Sequence, residues 1–262
     1  NIGRLAPQVM YYFRAYRDLM DAGKITLGDE VNFSVPTGNF GDILAGYLAK
    51  LLGLPVGMLI CASNANKVLD DFIKTGTYDR RRPLHKTQSP SMDILVSSNL
   101  ERLLYLLSGD TELVAGLMKE LNTNGVYTVP EDLLAKIQSQ FWGFHCGDVR
   151  THVNIGRCWM EHHYLMDTHT AVGVDGFQEF AVILEIQPVI GIGLRRRQRG
   201  TLRFLGICGI GGEVFGELIP DGIQQVGHLG GGQGGGGAAA DVDGAHMLAG
   251  LGQEFSGDFQ FL

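Results

Sequence analysis

The sequence predicts an α/β fold, organised around a strand–loop–helix–strand unit near its amino end. Residues 31–35 alternate between apolar and polar side chains, which is typical of a strand with one buried face. From Asp42 to Leu52, apolar residues recur three and four positions apart, as they do on one side of a helix. Residues 56–61 then form a short apolar run, which indicates a buried second strand. Two strands joined by a helix in this way form a βαβ unit.

The segment between the first strand and the helix has the composition of an anion-binding loop. It consists of Thr37, Gly38, Asn39, Phe40 and Gly41. Its glycines and Asn39 can take a positive φ or let a ligand approach the backbone closely, so that successive N–H groups converge on an anion. The helix that follows presents free amides and a partial positive charge, which favour a phosphate group.

Two features qualify this interpretation. Asp42 can cap the helix only if its carboxylate turns away from the bound anion. The segment contains neither the G-x-G-x-x-G fingerprint of dinucleotide sites nor the G-x-x-x-x-G-K-[ST] fingerprint of nucleotide triphosphate sites. An ordinary βαβ connection with a glycine turn therefore remains the structural alternative.

Composition excludes several classes of protein. The chain has 262 residues, 45% hydrophobic content and a net charge of −7, so it has no electrostatic footprint for nucleic acid. The basic run 80–82 is short and is interpreted as a solvated loop face, with a phosphate-facing patch as the alternative. No export signal and no run of about 18 apolar residues occur, which argues against a membrane span and favours a cytoplasmic protein. Four cysteines are too scattered for a disulfide scaffold and are expected to be reduced: Cys61, Cys146, Cys158 and Cys208.

Further helices are predicted along the first two thirds of the chain. Their expected extents are a helix with Pro7 in its first turn that ends at residue 21, and helices at 67–75, 100–107, 110–121 and 131–137. A short strand is expected at 127–129. Residues 76–88 are polar and basic, as in a long connection that carries function or is disordered.

No metal or nucleophilic site is predicted. His and Cys residues cluster between 145 and 163, but their spacing lacks the close pairs of a zinc site. His169 has no nucleophile elbow or reactive-cysteine signature beside it and is interpreted as structural or substrate-adjacent.

Three segments resemble one enzyme family. Residues 35–46, Val-Pro-Thr-Gly-Asn-Phe-Gly-Asp-Ile-Leu-Ala-Gly, resemble the phosphate loop of threonine synthase, a pyridoxal-phosphate (PLP) enzyme of fold type II. Residues 89–104 resemble its Ser-Pro-x-Met-Asp-Ile segment followed by Asn-x-x-Arg, and residues 143–172 resemble the segment that ends in Asp-x-His-Thr-Ala-Val. The three blocks occur in the family's order.

The resemblance implies a fold and an activity. The fold would be the three-layer α/β unit of PLP fold type II, tryptophan synthase β-like, with extra helices and incomplete at the N-terminus. The activity would be conversion of the small-molecule substrate O-phosphohomoserine and water into threonine and phosphate, with PLP as electron sink. Thr37, Gly38, Asn39, Phe40 and Gly41 would bind the phosphate of PLP, mainly through main-chain amides. The oligomeric state is left open.

The resemblance assigns no catalytic residue in this chain. The family's Schiff-base lysine lies upstream of the glycine loop, and Lys24, which precedes the loop here, does not match its motif. We therefore expect the chain alone to be inactive. The alternatives are a non-catalytic remnant that binds phosphate or PLP, and an unrelated α/β interaction domain. A related lyase that releases phosphate from the same substrate differs only in its product.

The character of the sequence changes near Gly173. Of the 38 glycines, 23 lie from Gly173 onward, and the family pattern is not found there. We therefore predict two parts: a partial threonine-synthase-like PLP domain, residues 1–172, and a glycine-rich tail of aberrant or disordered character, residues 173–262. An out-of-frame reading of the gene would explain the tail, and a true flexible tail is the alternative.

Overall fold

The structure, a computed structural model, describes residues 2–183 and the backbone of residues 203–207 and 214–215. The α-helices are α1 (Ile2–Asp21), α2 (Gly41–Leu51), α3 (Val68–Thr75), α4 (Leu100–Ser108), α5 (Thr111–Asn124), α6 (Glu131–Gln138), α7 (Asp148–His162) and α8 (Thr168–Ile183). The strands are β1 (Val31–Pro36), β2 (Val56–Ser63), β3 (Thr77–Asp79), β4 (Val126–Thr128), β5 (Phe141–His145), β6 (Arg203–Ile207) and β7 (Val214–Phe215). A 3-10 turn spans Pro90–Met92.

The main sheet has the strand order β5-β2-β1-β6-β7. Its first four strands are parallel, and β7 runs antiparallel to β6. Strands β1 and β2, which α2 connects, pair in parallel with Val35 opposite Cys61. The predicted βαβ unit and the α/β class are thus confirmed. A separate pair, β3 and β4, is antiparallel and places Tyr78 opposite Tyr127.

Helices cover both faces of the main sheet. On one face, the ring of Phe33 in β1 packs against Tyr12 in α1, with 5.0 Å between the ring centroids. On the other face, α8 lies very close to the strands. A Cβ on Gly176 would lie 3.0 Å from the Phe144 ring and 3.2 Å from the Cβ of Ala62, so any larger residue would require these neighbours to shift. The helices on the α1 side, the main sheet and helix α8 form the three layers of an α/β unit.

Strand β1 is buried on both faces, which corrects the expectation of a half-buried strand. The polar residues Asn32 and Ser34 are only 1% and 0% exposed. Helix α8 covers their face, and the Ser34 hydroxyl donates to the carbonyl of Gly173 at 2.6 Å. Asn32 accepts a hydrogen bond from the Met58 amide. Local alternation could not distinguish this strand from a half-buried one, because the Ser34 hydroxyl and the Asn32 side-chain oxygen find hydrogen-bond partners inside the protein.

Helix α8 runs through residue 173, where the glycine content predicts a domain boundary. Asp175, Gly176, Phe180 and Ala181 are buried, so the helix as far as Ala181 packs with the part of the chain that precedes it. The division into 1–172 and 173–262 stays a prediction, because most of the second part lies outside the described residues.

Several element boundaries differ from the expected ones. Helix α1 begins at Ile2, so Pro7 lies inside it rather than in its first turn. Strand β5 was not expected, and it is added to the sheet by parallel pairing with β2. The connection predicted at 76–88 begins with β3, whose partner β4 is far away in sequence. Such pairings depend on contacts between distant residues, which local patterns do not report. None of the described helices has the length and apolar character needed to span a membrane.

Candidate phosphate-binding site

The loop from Thr37 to Gly41 lies at the carboxyl end of β1 and leads directly into α2. Its first residue is tied to the sheet, since the Thr37 amide donates to the carbonyl of Ala62 at 2.8 Å. The Thr37 hydroxyl donates to the carbonyl of Val35 at 2.7 Å. The loop therefore starts from a rigid edge, at the end of the parallel strands where ligands of open α/β sheets bind.

The five predicted loop residues differ in whether their main-chain N–H groups already donate a hydrogen bond within the protein. Within residues 2–183, the N–H groups of Gly38, Asn39 and Phe40 donate to no protein acceptor. The Thr37 amide is already paired, and the Gly41 amide donates to Asn39 Oδ1 at 2.8 Å. Three successive amides in front of a helix N-terminus are thus available to an anion.

Positive φ in the loop belongs to Phe40, with φ 64° and ψ 15°, whereas Gly38 and Gly41 have no positive φ. The left-handed conformation is unfavourable for a residue with a Cβ, so the surroundings must impose it. Phe40 is only 1% exposed, and its ring packs 5.5 Å from that of Phe141. Packing of this side chain therefore shapes the loop.

Gly38 and Gly41 allow close packing of the loop, and neither is required for a positive φ. A Cβ on Gly38 would lie 2.9 Å from the carbonyl oxygen of Ser91 and 3.1 Å from the Cα of Met92. A Cβ on Gly41 would lie 2.9 Å from Asn39 Oδ1. The 3-10 turn Pro90–Met92 is thereby brought against the loop.

Asp42, in the first turn of α2, does not cap the helix. Its side chain is 8% exposed, and Oδ1 accepts a long hydrogen bond, 3.4 Å, from the Tyr12 hydroxyl. Its Oδ2 is buried and has no hydrogen-bond partner among the described residues. Burial raises the pKa of Asp42 to about 7, although the Tyr12 hydrogen bond acts in the opposite direction. The group is therefore partly protonated at neutral pH, which lessens its repulsion of an anion at the same helix end.

Two side chains that sequence reasoning did not assign to the loop contact it directly. The Ser97 hydroxyl donates to the carbonyl of Gly38 at 2.6 Å. Asn99 donates to the carbonyl of Asn39 through both its amide N–H, at 3.1 Å, and its Nδ2, at 3.0 Å. Asn99 occupies the N-cap position of α4, but its side chain makes no capping bond. The resemblance of residues 89–104 was the available signal, since the periodicity of 100–107 predicts only a helix.

The other residues considered from the sequence take structural roles. Arg81 pairs with Asp79 at 2.9 Å and Arg82 with Asp71 at 2.7 Å, as expected for a solvated basic face. Arg102, half-buried, donates to Asn99 Oδ1 at 2.8 Å.

The His and Cys side chains that were considered as metal ligands are dispersed. His145 Nδ1 lies 2.6 Å from Asp70 Oδ2, and the Sγ of Cys146 lies 3.3 Å from the Thr151 hydroxyl. His169 Nε2 accepts a hydrogen bond from the Ser91 amide at 3.3 Å. Over residues 2–183, no group of three or more His, Cys, Asp or Glu side chains has the arrangement of a metal site.

Comparison with known proteins shows homology over part of the chain. No protein-family model matches the chain. Threonine synthase-like 1 from Macaca fascicularis is 45% identical over 174 residues, which are 66% of this chain and 23% of that protein. Threonine synthase from Saccharomyces cerevisiae is 40% identical over 188 residues, 66% of this chain and 36% of the yeast protein. Two thirds of this chain is homologous to threonine synthases.

The structure agrees with this homology. The crystal structure of PLP-bound threonine synthase from Brucella melitensis matches 78% of this chain with a TM-score of 0.66 and 37% sequence identity. The match covers 39% of the Brucella chain. The predicted resemblance to threonine synthase and to its fold is confirmed. The chain spans about a quarter of threonine synthase-like 1 and just over a third of the threonine synthases it matches.

Proposed function

We propose that Thr37, Gly38, Asn39, Phe40 and Gly41 bind the 5′-phosphate of PLP, and that the chain contributes to threonine synthase chemistry on O-phosphohomoserine. The observation that carries the proposal is the run of main-chain amides from Gly38 to Phe40, in front of α2, that have no acceptor within residues 2–183. The loop contains no Lys or Arg, so these amides and the helix N-terminus have to supply the attraction for the phosphate.

The donor set suits a phosphate monoester. The three terminal oxygens of the phosphate accept strong hydrogen bonds from N–H groups. The amides of Gly38, Asn39 and Phe40 have no acceptor within residues 2–183 and match them in number. The Brucella threonine synthase matched by this chain binds PLP, which supports the choice of this phosphate over others.

The reaction follows from the family. Bound PLP supplies an electron sink for carbanions next to the substrate nitrogen. With that chemistry, a threonine synthase converts O-phosphohomoserine and water into threonine and phosphate. In this chain, the loop amides bind and orient the phosphate. Asp42 holds a proton near neutral pH at the same helix end.

Lys24 is poorly placed to act as the cofactor-binding lysine. It lies in the turn after α1, where its amide donates to the carbonyl of Leu19 at 2.9 Å, and it precedes the amino end of β1. The loop follows the carboxyl end of β1, and a six-residue strand is about 20 Å long. We therefore expect the purified chain to bind phosphate without forming threonine. Threonine production from O-phosphohomoserine by this chain would refute that expectation.

Calorimetric titration with PLP and with inorganic phosphate tests the phosphate site. We compare the unmodified chain with Gly38→Ala, whose Cβ would meet the backbone of residues 91 and 92. Gly116→Ala in α5 is the matched control, because a Cβ there meets nothing within 4 Å. Gly38→Ala should weaken binding at least about tenfold, the equivalent of one charge-assisted hydrogen bond. The control should bind like the unmodified chain.

A second candidate function is that of an α/β interaction domain. An apolar groove of about 540 Å³ runs between α1, α2, α4 and α5 and is lined by residues that include Leu5, Leu48, Tyr105 and Met118. If neither PLP nor phosphate binds, this candidate replaces the phosphate site. Binding of either ligand without threonine formation supports the phosphate site and is the result expected of this chain alone, as part of a synthase or as a non-catalytic remnant. Where turnover occurs, identification of the organic product separates a synthase from a phosphate-releasing lyase.

A further inference from the structure

We infer that Ser97 and Asn99 are positioning residues of the phosphate loop, which aim its amides by holding its carbonyl groups. The inference rests on the proposed phosphate site and adds the residues that orient it. Ser97 holds the carbonyl of Gly38, and Asn99 holds the carbonyl of Asn39 with two donors. Three hydrogen bonds from one short segment thus fix two consecutive peptide groups.

The direction of the amides follows from peptide geometry. In a trans peptide the C=O and N–H groups of one plane point in opposite directions, and the described chain has no cis peptide bond. The carbonyl of Gly38 shares its plane with the N–H of Asn39, and the carbonyl of Asn39 shares its plane with the N–H of Phe40. Because both carbonyls face the 97–99 segment, both amides face away from it. They are the same amides that lack a protein partner.

The segment that holds the carbonyls is itself fixed to the protein core. The amide of Ser97 donates to the Tyr78 hydroxyl at 2.8 Å, and that hydroxyl donates to the carbonyl of Leu95 at 3.0 Å. Tyr78 is 1% exposed and stacks on Tyr127, with 5.3 Å between the ring centroids. The buried aromatic pair therefore fixes the backbone of Ser97, and this places the Ser97 hydroxyl next to the loop.

Asn99 is oriented from its other end. Arg102 donates to Asn99 Oδ1 at 2.8 Å, which leaves Nδ2 directed at the carbonyl of Asn39. At the N-cap of α4, an Asn would ordinarily accept a hydrogen bond from the helix backbone. Asn99 makes no such bond. Its side chain therefore serves the loop in preference to the helix that it begins.

The test is phosphate binding by variants of this segment. Ser97→Ala and Asn99→Ala each remove donors from one loop carbonyl, while Ser97→Thr keeps the hydroxyl. Ser98→Ala is the matched control, because Ser98 is exposed and no hydrogen bond of its side chain is recorded among the described residues. Titration with inorganic phosphate, followed by the ¹⁵N–¹H NMR signals of Asn39 and Phe40, measures affinity and amide contact together.

We expect each alanine variant to bind phosphate about five- to tenfold more weakly, which corresponds to one lost hydrogen bond. The downfield shifts of the Asn39 and Phe40 amides on titration should shrink. Ser97→Thr should restore them, and Ser98→Ala should leave them unchanged. Thermal unfolding of each variant identifies any general loss of structure. If Ser97→Ala fails to fold, Asn99→Ala decides, because Asn99 is partly exposed.

The outcomes separate this inference from the proposal on which it rests. If the unmodified chain binds neither phosphate nor PLP, the phosphate site is wrong and the inference falls with it. If the chain binds phosphate but the alanine variants bind equally well, the phosphate site stands and the positioning role is refuted. An equal loss of binding in Ser98→Ala would also refute the role.

Discussion

Asp42→Asn should make this protein more stable at pH 8 while leaving its stability near pH 4 almost unchanged. The Asp42 carboxyl group is buried, one of its oxygens lacks a partner among the described residues, and the Tyr12 hydroxyl is its one recorded side-chain donor. Within residues 2–183, no cation contributes to the pKa shift of this carboxyl group. Asparagine has nearly the same shape and carries no charge, so it removes the cost of burying an ionised carboxylate.

The magnitude follows from the pKa of Asp42. Burial raises that pKa from 3.8 to about 7. The folded protein therefore keeps a proton that the unfolded chain releases above pH 4, and the free energy of unfolding falls as pH rises toward 7. Each pKa unit corresponds to about 1.4 kcal/mol, so a shift of about three units amounts to about 4 kcal/mol. This stabilisation is fully present below about pH 4 and is lost once the pH passes 7.

Urea unfolding of both proteins from pH 4 to pH 8 measures the effect. The difference between their free energies of unfolding removes the contribution of other groups that titrate in both. We expect the difference to grow by up to about 1.4 kcal/mol per pH unit between pH 4 and 7 and to level off above 7. Glu112→Gln, at an exposed position in the first turn of α5, is the control and should show little dependence on pH. A constant difference between Asp42→Asn and the unmodified protein would refute the reasoning.

Two further predictions concern contacts that hold the sheet. Ser34→Ala removes the donor to the carbonyl of Gly173. A buried carbonyl left unpaired should lower the free energy of unfolding by about 1–3 kcal/mol, which urea unfolding measures. An unchanged free energy of unfolding would mean that the packing of α8 does not depend on this bond. Burial raises the pKa of Asp70, but hydrogen bonds from His145 and Lys74 outweigh burial and lower it. His145→Ala should therefore cost about 1–3 kcal/mol at pH 7, and the loss should shrink as pH falls below about 4 and the carboxyl is protonated. A loss that stays constant as pH is lowered until the protein unfolds in acid would contradict this explanation.

Much of the candidate site could be predicted from local sequence, and its details could not. The strand, the glycine loop and the helix from Val31 to Leu51 follow from the alternation of apolar residues, the loop composition and the helical spacing. The loop torsions were harder to predict, because the positive φ lies at Phe40. Burial of its ring against Phe141, a residue a hundred positions away, outweighs the preference of glycine for that conformation.

The sequence by itself determined the βαβ unit, the position of the loop and, through three ordered segments, the resemblance to threonine synthases. Only the tertiary structure decided which loop amides lack an acceptor among the described residues and which side chains bind the loop carbonyls, since Ser97 and Asn99 lie about sixty residues from the loop. Tertiary packing also decided that Ser34 is buried and that Asp42 holds a proton near neutral pH. Local patterns record the torsions and hydrophobicity of neighbouring residues. Hydrogen-bond partners and desolvation are set by segments that meet only when the chain is folded.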